Sequence, residues 1–388
     1  MCIRDRAYTD TQLQAIDKLN AVIRDIKTTF IGKDDIIDLM GICLAGRENL
    51  FLLGPPGTAK SAMVHALGRH IEGETFEYLL TRFTEPNELF GPFDIRKLRE
   101  GDLVTNTEGM LPEARLIFLD ELLNANSAIL NSLLMVLNER VFRRGRETRP
   151  LPALMIVGAS NHLPEEESLQ ALFDRFLVRV ESANVDPQFL EKVLHAGWVL
   201  EKKSKDSTAG IKADEVKSLQ ALIGQVDLTE VLPAYIDLVQ KLRNAGIAVS
   251  DRRAVKLQRL MASSALLCKR TKVQQSDMWV LRFIWDNLEQ REIIASIVNA
   301  AVEADPIKEN QHPRASQKSA PDPEEIRKEL TLMLEQWEKP ETTAAERTLL
   351  KDRLRYLDGR CEWIVNPVQR QFLREPMDQL WKKILQSQ

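Results

Sequence analysis

Histidine is scarce in this chain, five in 388 residues, too few for a metal centre built on imidazoles. Cysteine is rarer still. The four stand at positions 2, 43, 268 and 361 with no CxxC pair, which excludes a disulfide framework and a thiolate zinc site and fits reduced thiols in a cytoplasmic protein. No apolar run reaches the roughly 18 to 20 residues needed to cross a bilayer. The opening Met1-Cys2-Ile3-Arg4-Asp5-Arg6 is charged and lacks the apolar core of a secretory leader. It reverse-translates to ATG-TGT-ATA-AGA-GAC-AG, which resembles transposon adapter sequence, so residues 1–6 are expected to be a non-native leader. Neither charge sign dominates, with 53 basic and 57 acidic residues and a net charge of -4, so nothing marks a dedicated nucleic-acid binder. What the chain has is length, enough for two or three domains whose cores need no staples.

The densest information lies in Gly54-Pro55-Pro56-Gly57-Thr58-Ala59-Lys60-Ser61. It follows the apolar run Leu50–Leu53 and precedes a helical pattern from Ala62 to His70. Strand, loop and helix in that order form a phosphate cradle. Glycines let backbone N–H groups close around phosphate oxygens, and the helix directs its positive end at them. Lys60 supplies a mobile point charge for β- and γ-phosphates, and Ser61 a hydroxyl for Mg²⁺. Ala59 stands where the general motif has glycine.

Binding alone needs nothing more, yet Leu116–Leu119 is a second apolar strand ending in Asp120 and Glu121. Asp120 is expected to hold Mg²⁺ through its water shell and Glu121 to polarise an attacking water. The pair could also cap the following helix, which is compatible with catalysis. Leu154–Ser160 is a third such strand, ending in Asn161, a turn residue or a hydrogen-bond partner for the γ-phosphate or the water. Leu172-Phe173-Asp174-Arg175-Phe176 carries an arginine that suits either an ion pair or an arginine finger. Val249-Ser250-Asp251-Arg252-Arg253 opens a helix with two cations at its positive end, a conflict that a phosphate would resolve.

These elements, in this order, resemble the AAA+ ATPases. The Ala before Lys60, the segment Thr84-Glu85-Pro86-Asn87-Glu88-Leu89-Phe90-Gly91-Pro92, the segment Gly109–Ala114 and the segment Leu137–Gly145 are similar to the MoxR group, most of all its RavA branch (regulatory ATPase variant A). The resemblance spans about Leu13 to Leu267. It implies that Lys60 and Ser61 form Walker A and that Asp120 and Glu121 form Walker B. Asn161 becomes sensor 1, Arg175 the arginine finger, and Arg252 sensor 2, with Arg253 a close competitor. Ile31-Gly32 resembles the family's adenine-side segment. The resemblance further implies ATP with Mg²⁺, a homo-hexameric ring in which each finger reaches a neighbour's nucleotide, and chaperone-like action on a protein client. It also implies a partner with a von Willebrand factor A (vWA) domain. No base-reading motif separates ATP from GTP.

The expected fold class is α/β, a P-loop NTPase with a doubly wound parallel sheet, a helical lid and a C-terminal helical appendage. Its expected divisions are 7–185 for the nucleotide-binding domain, 186–303 for the lid, 304–322 for a linker and 323–388 for a C-terminal module. Thr9–Thr28, Asp34–Ala45 and Glu121–Asn138 read as helices. Leu89–Ala114 reads as an insertion of short strands and turns. Val141–Pro150, with Arg143, Arg144, Arg146 and Arg149, reads as a hairpin tip, either a solvated loop or a pore-facing contact for substrate or partner. Breaks are expected at Gly210, Gly224, Pro233 and Gly246, and in the tail at Pro367 and Pro376. Thr343–Leu357 reads as the antiparallel partner of the helix over Glu324–Trp337. The rival functional reading is a nucleic-acid motor, which the hairpin arginines permit and the mild negative charge opposes. A third is a nucleotide-gated scaffold, which need not keep Glu121.

Overall fold

Apolar runs without alternation are the mark of strands covered on both faces, and they build three of the strands in the sheet of this computed structural model. It describes residues 8–100, 103–144, 147–185, 187–202, 210–303, 310–316, 323–338 and 367–386, together with 347, 350, 351, 354 and 357. Among these, β1 (Leu50–Leu53), β2 (Thr75–Leu79), β3 (Leu116–Asp120), β6 (Met155–Ser160) and β7 (Val178–Glu181) form one parallel sheet in the order β2-β3-β6-β1-β7. The pair β4 (Val141–Arg144) and β5 (Glu147–Pro150) is a separate antiparallel hairpin, as its turn chemistry predicts.

The helices are α1 (Asp10–Thr29), α2 (Asp34–Gly46), α3 (Lys60–His70), α4 (Pro86–Phe90), α5 (Ile95–Arg99), α6 (Ser127–Glu139) and α7 (Glu167–Phe173). They are followed by α8 (Leu190–Lys202), α9 (Ala213–Leu222), α10 (Leu232–Asn244), α11 (Asp251–Leu267), α12 (Gln290–Glu303), α13 (Pro323–Glu338) and α14 (Pro367–Gln386). Thr9 and Gln12 close a capping box on α1, and its stripe Ile16, Leu19, Val22, Ile23 and Ile26 is buried. Helix α2 is buried almost all round and lies between α1 and α11. A 3₁₀ stretch, Gln275–Phe283, carries the buried Trp279.

Several expectations need correcting. The helix expected over Glu121–Asn138 is two pieces. Glu121 adopts a left-handed φ of 49°, a short 3₁₀ turn spans Leu122–Asn124, and α6 starts only after Asn126, whose side chain caps Ala128 and Ile129. The insert 89–114 holds short helices in place of the expected strands, the first nucleated by Pro86 and a Glu85–Glu88 capping box. Among its described residues the one strand-like pairing is the bridge between Phe93 and Thr105. The expected break at Pro233 is there, since the proline stands in the first turn of α10. Pro367 starts α14, and Pro376 lies inside that helix, where Leu373, Met377, Leu380 and Ile384 are buried on either side of it.

The expected lid over 186–303 does not part from the body at its start. Ile211 bridges to Ile71, and Gln220 on α9 donates to the carbonyls of Leu44 and Leu154. Nor are the described residues of the expected linker a free spacer. His312 stacks on Trp279, and Arg314 is buried against Asp34, Asp35 and Asp38. Residues 317–388 form a second compact unit with its own core of Leu330, Met333, Trp337, Leu354, Leu357, Leu373, Met377, Leu380 and Ile384. Most of the expected partner helix over Thr343–Leu357, and the leader 1–6, lie outside the described residues.

Candidate nucleotide site

The loop after β1 turns where only glycine fits. A methyl on Gly54 would stand 2.2 Å from the Ser182 carbonyl oxygen. The Gly54 N–H donates to the Ser160 carbonyl, which ties the start of the loop to the end of β6. The loop closes on itself through the Thr58 hydroxyl, which donates to the Pro55 carbonyl at 2.9 Å. Ala59 takes the left-handed φ of 66°, and α3 begins at Lys60. Lys60 is buried, and its ammonium donates to the carbonyls of Gly54 and Pro55 across the mouth of the loop. Ser61 follows on the first turn of α3.

Strand order then assembles the rest. β6 lies between β3 and β1, and neighbouring strands are about 4.8 Å apart. Asp120 and Glu121 at the end of β3, Asn161 just past β6 and the Gly54–Ser61 loop past β1 therefore stand side by side along the carboxyl edge of the sheet. This is where an open parallel sheet binds its ligand. The Glu121 N–H donates to Asp120 Oδ1 at 2.9 Å. Glu121 Oε2 is buried without a hydrogen-bond partner. A buried carboxylate oxygen with no donor is costly unless something is to be placed against it. Asn161 is exposed. Asn126 donates to the carbonyls of Arg82 and Thr84, which pins the loop past β2 to the start of α6 beside the carboxylates.

Ile31 and Gly32 also reach this edge. Gly32 has φ 74°, and a methyl placed on it would stand 3.2 Å from Val185 Cγ1 in the segment leaving β7. The next residue, Lys33, is buried, and its ammonium donates to Ser182 and Ala183. The expected site stopped one residue short of it, because a single lysine among many carries no signal of burial.

Arg175 and Arg252 are not brought to this edge. Asn49, the residue before β1, donates to the Arg175 carbonyl at 2.9 Å, so Arg175 lies at the amino ends of the strands. That is about 13 Å, the length of β1, from the loop that follows the same strand. Arg252 donates to Asn138 at the end of α6, and α11 is further held there by Lys256 and Arg259 on the buried Glu48. An Arg252 that reads the phosphate of its own chain is thus not what the structure places. Arg253 is occupied by Asp286 and the Ile284 carbonyl. Two residues unmarked in the sequence, Asn49 and Arg140, organise this amino edge. Arg140 donates to Asn49 Oδ1 at 2.6 Å, and burial lowers its pKa to about 10. The Arg175 Nε is buried without a partner among the described residues.

Two of the hairpin's four arginines are engaged within the chain, Arg143 is exposed, and Gly145 and Arg146 lie outside the described residues. Arg144 donates to Gly91 and Asn87 and lies over the Phe93 ring, and Arg149 bonds Thr107 and lies over Phe142. Both arginines fasten the hairpin to α4 and the insert that follows it. Among the described residues no group of histidine, cysteine and carboxylates could by itself hold a metal, and no helix is long and apolar enough to cross a membrane.

A family profile described as the MoxR domain of MoxR–vWA–beta-propeller ternary systems matches residues 17–221, and one for an AAA lid domain matches 230–298. Two uncharacterized proteins of Methanocaldococcus jannaschii are each 34% identical to the chain. One aligns over 74% of this chain and 74% of its own length, the other over 72% and 81%. The chaperone MoxR1 of Mycobacterium tuberculosis is 25% identical over 49% of this chain and 51% of its own. A solved structure from Cytophaga hutchinsonii shares the fold, with a TM-score of 0.62 at 20% identity, covering 77% of this chain and 98% of that one.

Proposed function

Because the chain belongs to the MoxR family of AAA+ ATPases, we propose that it hydrolyses ATP by in-line attack of water on the γ-phosphate and uses the cycle to remodel or activate a protein client. The observation that carries this is Glu121 Oε2, a buried carboxylate oxygen without a donor, two strands away from a phosphate cradle. A structural carboxylate at that place would be paired. A general base needs its lone pair for a water.

The residues divide the work. The loop Gly54–Ser61 binds the phosphates through backbone N–H groups, and Lys60 neutralises the β- and γ-oxygens. The Ser61 hydroxyl and the Asp120 carboxylate are a hard oxygen donor set that fits Mg²⁺. Bound there, the ion supplies charge neutralisation at the phosphates. Glu121 orients and polarises the water, and Asn161 holds water or γ-phosphate from the β6 end. Ile31-Gly32 flanks the base.

Arg175 and Arg252 lie at the opposite edge of the sheet. That position suits residues lent to the next copy in a ring, and we place the protein as a homo-hexamer in which a neighbour's Arg175 completes each site. The description of the matching profile supports a vWA-domain partner, and the motif set supports the RavA branch and work in the cytoplasm. The nucleotide domain extends past residue 185 through α9, which packs on it, the lid follows where the lid profile matches, and 323–388 serves as the C-terminal module. A nucleic-acid motor is the weaker reading, because Arg144 and Arg149 of the hairpin are engaged within the chain.

The test is turnover of Mg-ATP. Wild-type protein should release inorganic phosphate, and Glu121→Gln should bind Mg-ATP yet lose about 10²–10⁴-fold in turnover. A Glu121→Gln protein as active as wild type would end this assignment.

A further inference from the structure

Three carbonyls of the phosphate loop are tied back to the protein. Lys60 holds those of Gly54 and Pro55, and the Thr58 carbonyl accepts from the Ser182 hydroxyl at 2.9 Å. Ser182 follows β7, is wholly buried, and gives its own N–H to the Leu53 carbonyl at 2.7 Å. Its hydroxyl oxygen in turn accepts from the Lys33 ammonium at 3.3 Å, while Lys33 also donates to the Ala183 carbonyl. The two Lys60 bonds lie within the cradle motif, whereas those of Ser182 and Lys33 reach it from outside. They join three segments far apart in sequence.

The polarity of this chain of bonds is fixed by valence. An ammonium can only donate, and a serine hydroxyl has one proton. With Lys33 donating into its oxygen, Ser182 must direct that proton at Thr58. The Thr58–Ala59 peptide is trans, so its C=O and N–H point in opposite directions. A carbonyl held toward Ser182 turns the Ala59 N–H to the other side of the peptide plane. Ala59 has φ 66°, a left-handed region unfavourable for a residue with a Cβ, so this peptide does not hold its orientation unaided.

We infer that Lys33 and Ser182 are positioning residues for the triphosphate, a relay that locks the Thr58–Ala59 peptide with its N–H offered to a phosphate oxygen. Neither touches the substrate. The inference rests on the ATP reading above. Burial and the nearby charge of Lys60 both push the Lys33 ammonium toward losing its proton, and an anion in the loop relieves that repulsion.

The experiment compares full-length wild type, Ser182→Ala, Lys33→Met and the double variant. It reads Mg-ATP affinity by calorimetry, the KM and kcat of phosphate release, and amide hydrogen exchange over residues 54–61 without nucleotide. Ser182→Ala should weaken Mg-ATP binding about tenfold, because it leaves a buried carbonyl without its donor. KM should rise with kcat near wild type, and loop amides should exchange faster. Lys33→Met should show a smaller loss of the same kind, and the double variant should be no worse than Ser182→Ala, because the two act in series. Should Ser182→Ala fail to fold, Lys33→Met, which keeps the apolar stem, carries the same comparison. Wild-type affinity in the variants, or losses that simply add, would overturn the relay alone. Wild type that binds no Mg-ATP would overturn the ATP reading, and the relay with it.

Discussion

Ala59 and Glu121 share an uncommon feature at the residue scale: both are left-handed without being glycine, and both stand in the candidate site. Strain of this kind collects where function needs a fixed geometry. At Ala59 it has a direct consequence. Ala59→Gly should raise stability by about 1 kcal/mol, read as a higher melting temperature, since glycine adopts φ 66° without a Cβ clash. A lower melting temperature would show that the loop does not hold this φ in solution. Lys60→Ala should abolish nucleotide binding, measured by titration of Mg-ATP, because it removes the ammonium that stands across the mouth of the loop. Of the expected site, the cradle and the two carboxylates were legible in the sequence because each sits at the end of an apolar run that can only be a buried strand. Lys33, Ser182 and Asn49 were not, because their roles come from three-dimensional neighbours and not from local pattern.

At the scale of elements, Asn126 does two things at once. Its carbonyl oxygen caps α6, and its amide holds the Arg82 and Thr84 carbonyls. Asn126→Ala should therefore cost more than an ordinary cap, which is worth about 1 kcal/mol, and should loosen the turn that carries Glu121. Chemical denaturation and turnover measured together would show it, and an unchanged stability would contradict the capping role. The break before α6 escaped the sequence pattern because Leu122 and Leu123 continue the apolar stripe through the turn, so periodicity alone ran the two pieces together. The insert misled in the opposite way. Its glycines and prolines suggested strands and turns, while Pro86 and the Glu85–Glu88 box start a helix. Pro376 was read as a break, yet α14 carries it inside, with Leu373 and Met377 both buried beside it. Burial of the stripe outweighs the lost hydrogen bond there.

For the molecule as a whole, two placements bear on behaviour. The first is His312, stacked on Trp279, where burial lowers its pKa from 6.5 to about 3. The unfolded chain protonates this histidine near 6.5 and the folded one only near 3, so unfolding takes up a proton between those values. The stability His312 confers is complete above about pH 6.5 and is lost as pH falls toward about 3. Denaturant midpoints measured down that range should fall more steeply for wild type than for His312→Phe, which keeps an aromatic ring on Trp279 and cannot titrate. Equal slopes would show that the ring is not held neutral.

The second placement is the separation of Arg175 and Arg252 from the loop their own chain provides. Nothing in the linear order announced it, because distance along the chain does not say which end of a strand a residue occupies. On the ring proposed above, the neighbouring copy becomes a part of the site. The decisive measurement is ATP turnover by assembled mixtures of wild type and Arg175→Ala at constant total protein. Arg175→Ala alone should bind Mg-ATP normally and lose turnover by about 10³–10⁵-fold, and activity in the mixtures should fall with the fraction of variant because each altered copy disables its neighbour. An Arg175→Ala protein that hydrolyses ATP at the wild-type rate would contradict the account.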